Sequence, residues 1–115
     1  MIDISAHITN TLSPLNLKVY FNSVPTGETI PDQYITFLEI IDNAALEVGD
    51  EEVETKRLIQ VNIWSKSNYD TLVNQVRKLL EKSAGFERIN GMDAPKQEGD
   101  SHFNKVLRFV FYDEY

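Results

Sequence analysis

The residues able to do chemistry are few, and most are carboxylates. Glu47, Asp50, Glu51, Glu52 and Glu54 stand within eight residues, around Gly49. A calcium loop wants Asp or Asn at alternating positions, a glycine at the sixth and a glutamate at the twelfth, and this run does not match. Two readings remain open for it. One is a solvated hairpin tip; the other is an acidic surface that repels DNA or fits a basic partner. The chain has two histidines. His102 follows Asp100 in an Asp-x-His pair that could ligate a metal, but no third ligand stands near in sequence, so it reads as a polar residue at a strand end. His7 reads as a solvated histidine off the apolar stripe of a helix. Glu39, Asp42 and Lys56 faintly resemble a metal-dependent nuclease layout, without the basic face such an enzyme needs. There is no cysteine, hence no thiol nucleophile, disulfide or zinc–thiolate site. No G-x-S-x-G elbow occurs, and the glycines are scattered singly, unlike a phosphate-binding loop. Neither catalysis nor a cofactor nor a bound metal is expected.

The elements that must position these residues follow from periodicity. KRLIQVNIWSK, Lys56–Lys66, alternates with Ile59, Val61 and Ile63 on one face and Gln60, Asn62 and Trp64 on the other, a half-buried strand. It runs into SNYDTLVNQVRKLLEKSAG, whose Tyr69, Leu72, Val73, Val76, Leu79 and Leu80 recur at three and four. That spacing predicts an amphipathic helix over Ser67–Ala84, stopped by Gly85. Upstream, Ile4, Ile8 and Leu12 predict a short helix over residues 3–13, capped by Asp3 or Ser5 and ended by Pro14. Leu17–Phe21 reads as a strand. Residues 22–32, with Pro25, Gly27 and Pro31, read as a long loop. Gln33–Asp42 is a strand apolar on both faces, as expected of a central strand, one roofed by a helix, or one whose second face meets another subunit. Asn43–Thr55 reads as the acidic hairpin loop. Phe86–Met92 holds a short strand with a turn at Asn90-Gly91, residues 93–101 a polar loop, and Ser101–Tyr112 the last strand. In that strand Leu107, Phe109 and Phe111 oppose Val106, Arg108, Val110 and Tyr112. The order α-β-β-β-α-β-β implies a single α+β domain over residues 1–115: an antiparallel or mixed sheet of four to five strands, with two helices packed on it.

Composition bounds the function classes. The chain has 115 residues, enough to bury roughly two-thirds of its unfolded surface. Hydrophobic residues make up 42% and charged residues 25%, which suits a packed domain rather than a disordered one. A net charge of -7 argues against binding phosphates or an anionic membrane. No apolar run approaches the ~20 residues of a membrane span, and the first ten residues lack the charged and apolar regions of a secretion signal.

The segment PDQYITFLEI, the acidic insert and RLIQVNIWSKSNYDTLVNQVRKLL together resemble the small tail terminator, tail completion or head–tail joining proteins of long-tailed bacteriophages and prophages. The cues are an aromatic-rich strand after Pro31 (Tyr34, Phe37), a strand ending in Trp64-Ser65, a helix opening with Tyr69, and a final strand over Lys105–Tyr112. The resemblance covers the chain from about residue 17 onward. It implies a non-enzymatic structural protein of the virion tail, present in the host cytoplasm during assembly. It further implies a monomer in isolation and a homo-hexameric ring when assembled, capping the tail tube and contacting tail-tube and head-connector proteins. DNA would pass through that ring without specific binding. In such a ring, acidic residues facing the lumen would repel phosphates. Glu47–Glu54 is then expected to form a mobile loop that orders on assembly, and Trp64 or Phe111 to serve a subunit interface. The reading from another class is a small acidic immunity- or antitoxin-like protein that neutralises a basic partner.

Overall fold

The computed structural model describes residues 3–49, 51–96 and 99–114, with side chains for all of these except 41–48, 51–53, 83 and 114. Helix α1 spans Ile4–Leu12, and Asp3 caps it by accepting a hydrogen bond from the Ala6 N–H at 3.2 Å. A 3-10 turn, Ser13–Leu15, carries Pro14 in its first residues. Strand β1 is Lys18–Phe21, β2 Gln33–Val48, and β3 Glu51–Ser65. Helix α2, Asp70–Lys78, ends in a π-turn at Leu79–Ser83; β4 is Glu87–Ala94 and β5 Phe103–Glu114. The strands form one mixed sheet in the order β1-β2-β3-β5-β4. Only β1 runs parallel to its neighbour, with Lys18 opposite Tyr34 and Phe21 opposite Phe37. This is the expected α+β fold in the expected element order.

Register decides which residues share a face. Ile35 pairs with Ile63, Phe37 with Val61, Val61 with Leu107 and Ile59 with Phe109. These side chains point to one side and join Ile4, Ile8 and Leu12 of α1 and Leu72, Val73, Val76 and Leu80 of the second helical segment in a single core. Both helical stripes are therefore spent on the same face of the sheet. Gly85, at φ 78, turns the chain out of the π-turn, and the Phe86 N–H donates to the Leu80 carbonyl at 3.0 Å. Phe86 then fills the core beside Phe109.

Three expectations are corrected. Asn43–Thr55 is not a loop: β2 continues to Val48 and β3 begins at Glu51, with Val48 opposite Glu51 and Gly49 at φ 66. Alternating Leu46, Val48 and Val53 with the acids is a strand pattern, which the charge run concealed. Asn90-Gly91 is not a turn but lies inside β4, opposite Arg108 and Leu107. A Cβ on Gly91 would come within 2.9 Å of Leu107 Cδ2, so the glycine serves close packing across the strands. His7 is half-buried rather than solvated. Its Nε2–H donates to the Ala84 carbonyl at 3.0 Å, and its ring lies 5.8 Å from Phe86 and 5.6 Å from Phe111. β2 is the expected central strand, between β1 and β3, roofed by helices on one face, with Ile40 exposed on the other.

Phe109 is fully buried at the centre of the core. Phe109→Ala is expected to cost about 3–5 kcal/mol, a large share of the roughly 5–15 kcal/mol that holds such a domain folded. Ile89→Ala, on the exposed face of β4, should stay within about 0.5 kcal/mol of the parent. Urea denaturation of both variants checks the contrast.

Candidate functional site

The feature that departs most from a compact domain is the β2–β3 hairpin. At about 3.3 Å per residue, the 16 residues of β2 reach about 53 Å, which matches the 52 Å long axis of the molecule. The radius of gyration is 15.3 Å, against about 13 Å for a compact chain of this length. β1 accompanies β2 only as far as Phe37, and β5 accompanies β3 to Glu54. Beyond Glu54 only the hairpin's last residues, Glu47 and Val48 opposite Glu52 and Glu51, continue as a two-stranded ribbon of about 10 Å; measured from Arg57, the arm as a whole reaches about 20 Å.

The arm is built of the acidic run. Glu47 stands in cross-strand register with Glu52, and Glu54 with Glu114 of β5. Like charges directly opposite destabilise a sheet. Glu54 is half-buried; Asp50 lies outside the described residues, as do the side chains of Glu47, Glu51 and Glu52.

An isolated two-stranded ribbon is marginal in water, so the root of the arm matters. There Arg57 projects from β3 on the helix side, at the border of the apolar core. Its Nε donates to Glu39 Oε2 at 2.8 Å and its Nη2 to Glu39 Oε1 at 2.9 Å, a two-pronged pair; its Nη1 donates to Asp113 Oδ2 at 3.1 Å. Arg57 and Asp113 are 7% and 4% exposed, and neighbouring Thr55 is also buried. The Glu39 hydrogen bonds, more than Asp113, hold the guanidinium charged against the cost of burial. The contact joins β2, β3 and β5 where helical cover ends. A β-bulge between Glu39 and Ile41 follows it directly. Glu39 keeps the helix-side face opposite Ile59, and the extra residue shifts parity, so that Ile41 faces Leu58. Sequence reasoning grouped Glu39 with Asp42 and Lys56 and did not find its partner. The signal available was an arginine at an inward position of a strand otherwise apolar on that face.

Trp64 and Phe111 lie on opposite faces of the sheet and cannot share one surface. Phe111 faces the helices, 5.0 Å from Phe86. Trp64 faces away from them, stacked on Tyr34 at 5.8 Å and 7°, with its Nε1–H donating to Thr36 Oγ1 at 3.0 Å. His102 is buried edge-on against Tyr34. Its Nε2–H donates to the Pro31 carbonyl at 2.8 Å, so Nδ1 accepts from the Ser101 hydroxyl at 2.6 Å. This histidine ties the 22–32 loop to the start of β5; both of its nitrogens are engaged, which leaves neither to act as a base. Among the described residues no three His, Asp or Glu side chains converge as a metal site.

A polar cleft of about 340 Å³ lies between α2 and β4. In it the Tyr69 hydroxyl donates to Asp93 Oδ1 at 2.6 Å, and Lys105 Nζ lies 3.5 Å from the same oxygen. Burial, then Asp93, push the Tyr69 pKa up to about 12; the Tyr69 hydrogen bond holds Asp93 below the usual carboxylate range, with Lys105 adding to it. Arg77 and Arg88 both approach Glu81, at 3.6 and 3.9 Å. The cleft's charges are thus largely answered within it.

Two outcomes check this account. Arg57→Met should cost about 3–5 kcal/mol at neutral pH, because Glu39 and Asp113 lose their cation. Urea denaturation of parent and variant measures it. Tyr69 favours its neutral form in the folded state. Its contribution is therefore complete below about pH 10 and disappears as pH rises through about 12. Tyr69→Phe should remove about 1 kcal/mol at neutral pH and nothing at the alkaline limit.

Searches with the whole chain find no matching family model and no matching curated protein.

Proposed function

We propose that this chain is a structural protein of a bacteriophage tail, of the terminator or completion kind, working as a ring at the end of the tail tube where the head connector joins. The single observation that supports this reading is the acidic arm. Its like-charged residues stand in register, Glu47 opposite Glu52 and Glu54 opposite Glu114. Their repulsion costs stability, so the arm's sign is useful only where another surface reads it. In a ring that surface is the DNA passing through the lumen, which acidic residues repel and basic ones would hold. The surrounding domain supplies a stiff mount, with Arg57 locking the arm to the core strands. The resemblance of the strand–helix segment to tail-completion proteins gives the same direction.

Electron microscopy of tails assembled without this protein tests the reading. Tails of uncontrolled length, or tails that fail to join heads, are expected; normal joined tails would refute it. Reversing Glu47, Glu51, Glu52 and Glu54 to Lys should leave tails joined and slow DNA ejection severalfold. The reading of the arm also expects slower hydrogen exchange over residues 43–55 in assembled tails than in the free protein. An immunity-like protein would instead give a salt-sensitive one-to-one complex with a basic partner in native mass spectrometry, and no effect on tails.

A further inference from the structure

The face of the sheet away from the helices is closed at one end by the Trp64–Tyr34–His102 cluster and open at the other. The open part is a concavity of about 460 Å³, whose walls include Leu38, Ile40, Leu58, Ile89 and Arg108. Register lines it up in two rows. Leu38, Gln60, Arg108 and Asn90 cross the sheet in one; Ile41, Leu58, Val110 and Glu87 cross it in the next. Each outer strand carries a bulge at this same level, between Glu39 and Ile41 in β2 and between Arg88 and Asn90 in β4. Each bulge adds one isoleucine, Ile40 and Ile89, 43% and 51% exposed. They stand three strand spacings apart, about 14 Å, which admits a helix about 10–12 Å across.

Arg108 sets the chemistry. Of the four arginines, Arg57, Arg77 and Arg88 each have a carboxylate partner. Arg108, on the groove floor, has none among the described residues; its Nε donates only to Gln60 Oε1, at 3.3 Å. In a chain of net charge -7, a cation with no acid beside it, set between Gln60 and Asn90 and flanked by Leu38, Ile40, Leu58 and Ile89, suits a carboxylate carried by a partner. A second copy does not supply the occupant. The apolar stripes of its helices, Ile4, Ile8 and Leu12 and Leu72, Val73, Val76 and Leu80, are already buried in its own core.

We propose that this groove receives an amphipathic helix of a partner protein, its apolar stripe lying between Ile40 and Ile89 and an aspartate or glutamate on that stripe pairing with Arg108. The inference does not depend on the tail reading, since a helix would complete the second layer of the sheet in either class of protein.

Panning a displayed library of random peptides of about 16 residues, some 24 Å of helix, against the full chain tests it. The expected consensus has apolar residues at i, i+3, i+4 and i+7 and an acidic residue on the same stripe. A synthetic consensus peptide should shift the amide signals of Leu58, Gln60 and Arg108. Replacing its acid by Lys should weaken binding at least about tenfold; Arg108→Glu should weaken the acidic peptide equally and restore the Lys peptide. Ile40→Asp and Ile89→Asp should each abolish binding, with folding confirmed by circular dichroism. The peptide charge series on the parent chain stands even where a variant fails to fold. No enrichment, a consensus without an acid, binding blind to the charge swap, or extended peptides pairing along the edge of β4 would each overturn the proposal. So would light scattering that finds a dimer dissociated by Ile40→Asp.

Discussion

The pairing of β2 with β3 is the constraint on which the rest of the structure depends. The two strands run together from Gln33 opposite Ser65 to Val48 opposite Glu51. Near one end they supply the centre of the core through Ile35, Phe37, Val61 and Ile63; at the other they leave the body as an arm. Side chains alternate faces with a period of two, so a one-residue slip would turn every core residue outward. The apolar face under the helices fixes the register, and the register carries the acidic residues to the far end. Core and arm are therefore set by one alignment.

The helix-side face of β2 changes character at Glu39, just before the bulge. Before Glu39, that face is apolar. At Glu39 that face becomes ionic, and Arg57 draws β2 and β5 onto β3 with hydrogen bonds at 2.8, 2.9 and 3.1 Å. A buried ion pair offers little net stability over an apolar contact. Its geometric value is different: three strands must keep one arrangement for all its hydrogen bonds to be made. Arg57 thus anchors the arm where the helices stop.

The two faces of the sheet divide the work. One is sealed by α1, α2 and Phe86. The other carries an aromatic cluster at one end and the Arg108 groove at the other. The polar groups buried on either face are mostly engaged with each other, as with His102 between Ser101 and Pro31. Such a molecule is suited to act through the shape and sign of its surfaces.

Local periodicity decided much of this from the sequence alone. The helical stripes of Ile4, Ile8 and Leu12 and of Leu72, Val73, Val76 and Leu80, the alternation of Ile59, Val61 and Ile63, and the split of β5 into two faces all rest on the repeat geometry of a helix or strand within a few residues. Where partners lie far apart in the chain, only the tertiary structure decided. His7 is half-buried because Ala84, Phe86 and Phe111 arrive from the opposite end of the sequence. Gly91 is a strand residue because Leu107 needs the space its side chain would fill. The acidic run looked like a loop because charge is a local cue for solvent, whereas pairing across a hairpin is cooperative and overrides it. The union of Glu39, Arg57 and Asp113 and the row that sets Arg108 beside Gln60 and Asn90 depend on register between distant strands, which no single stretch of sequence encodes.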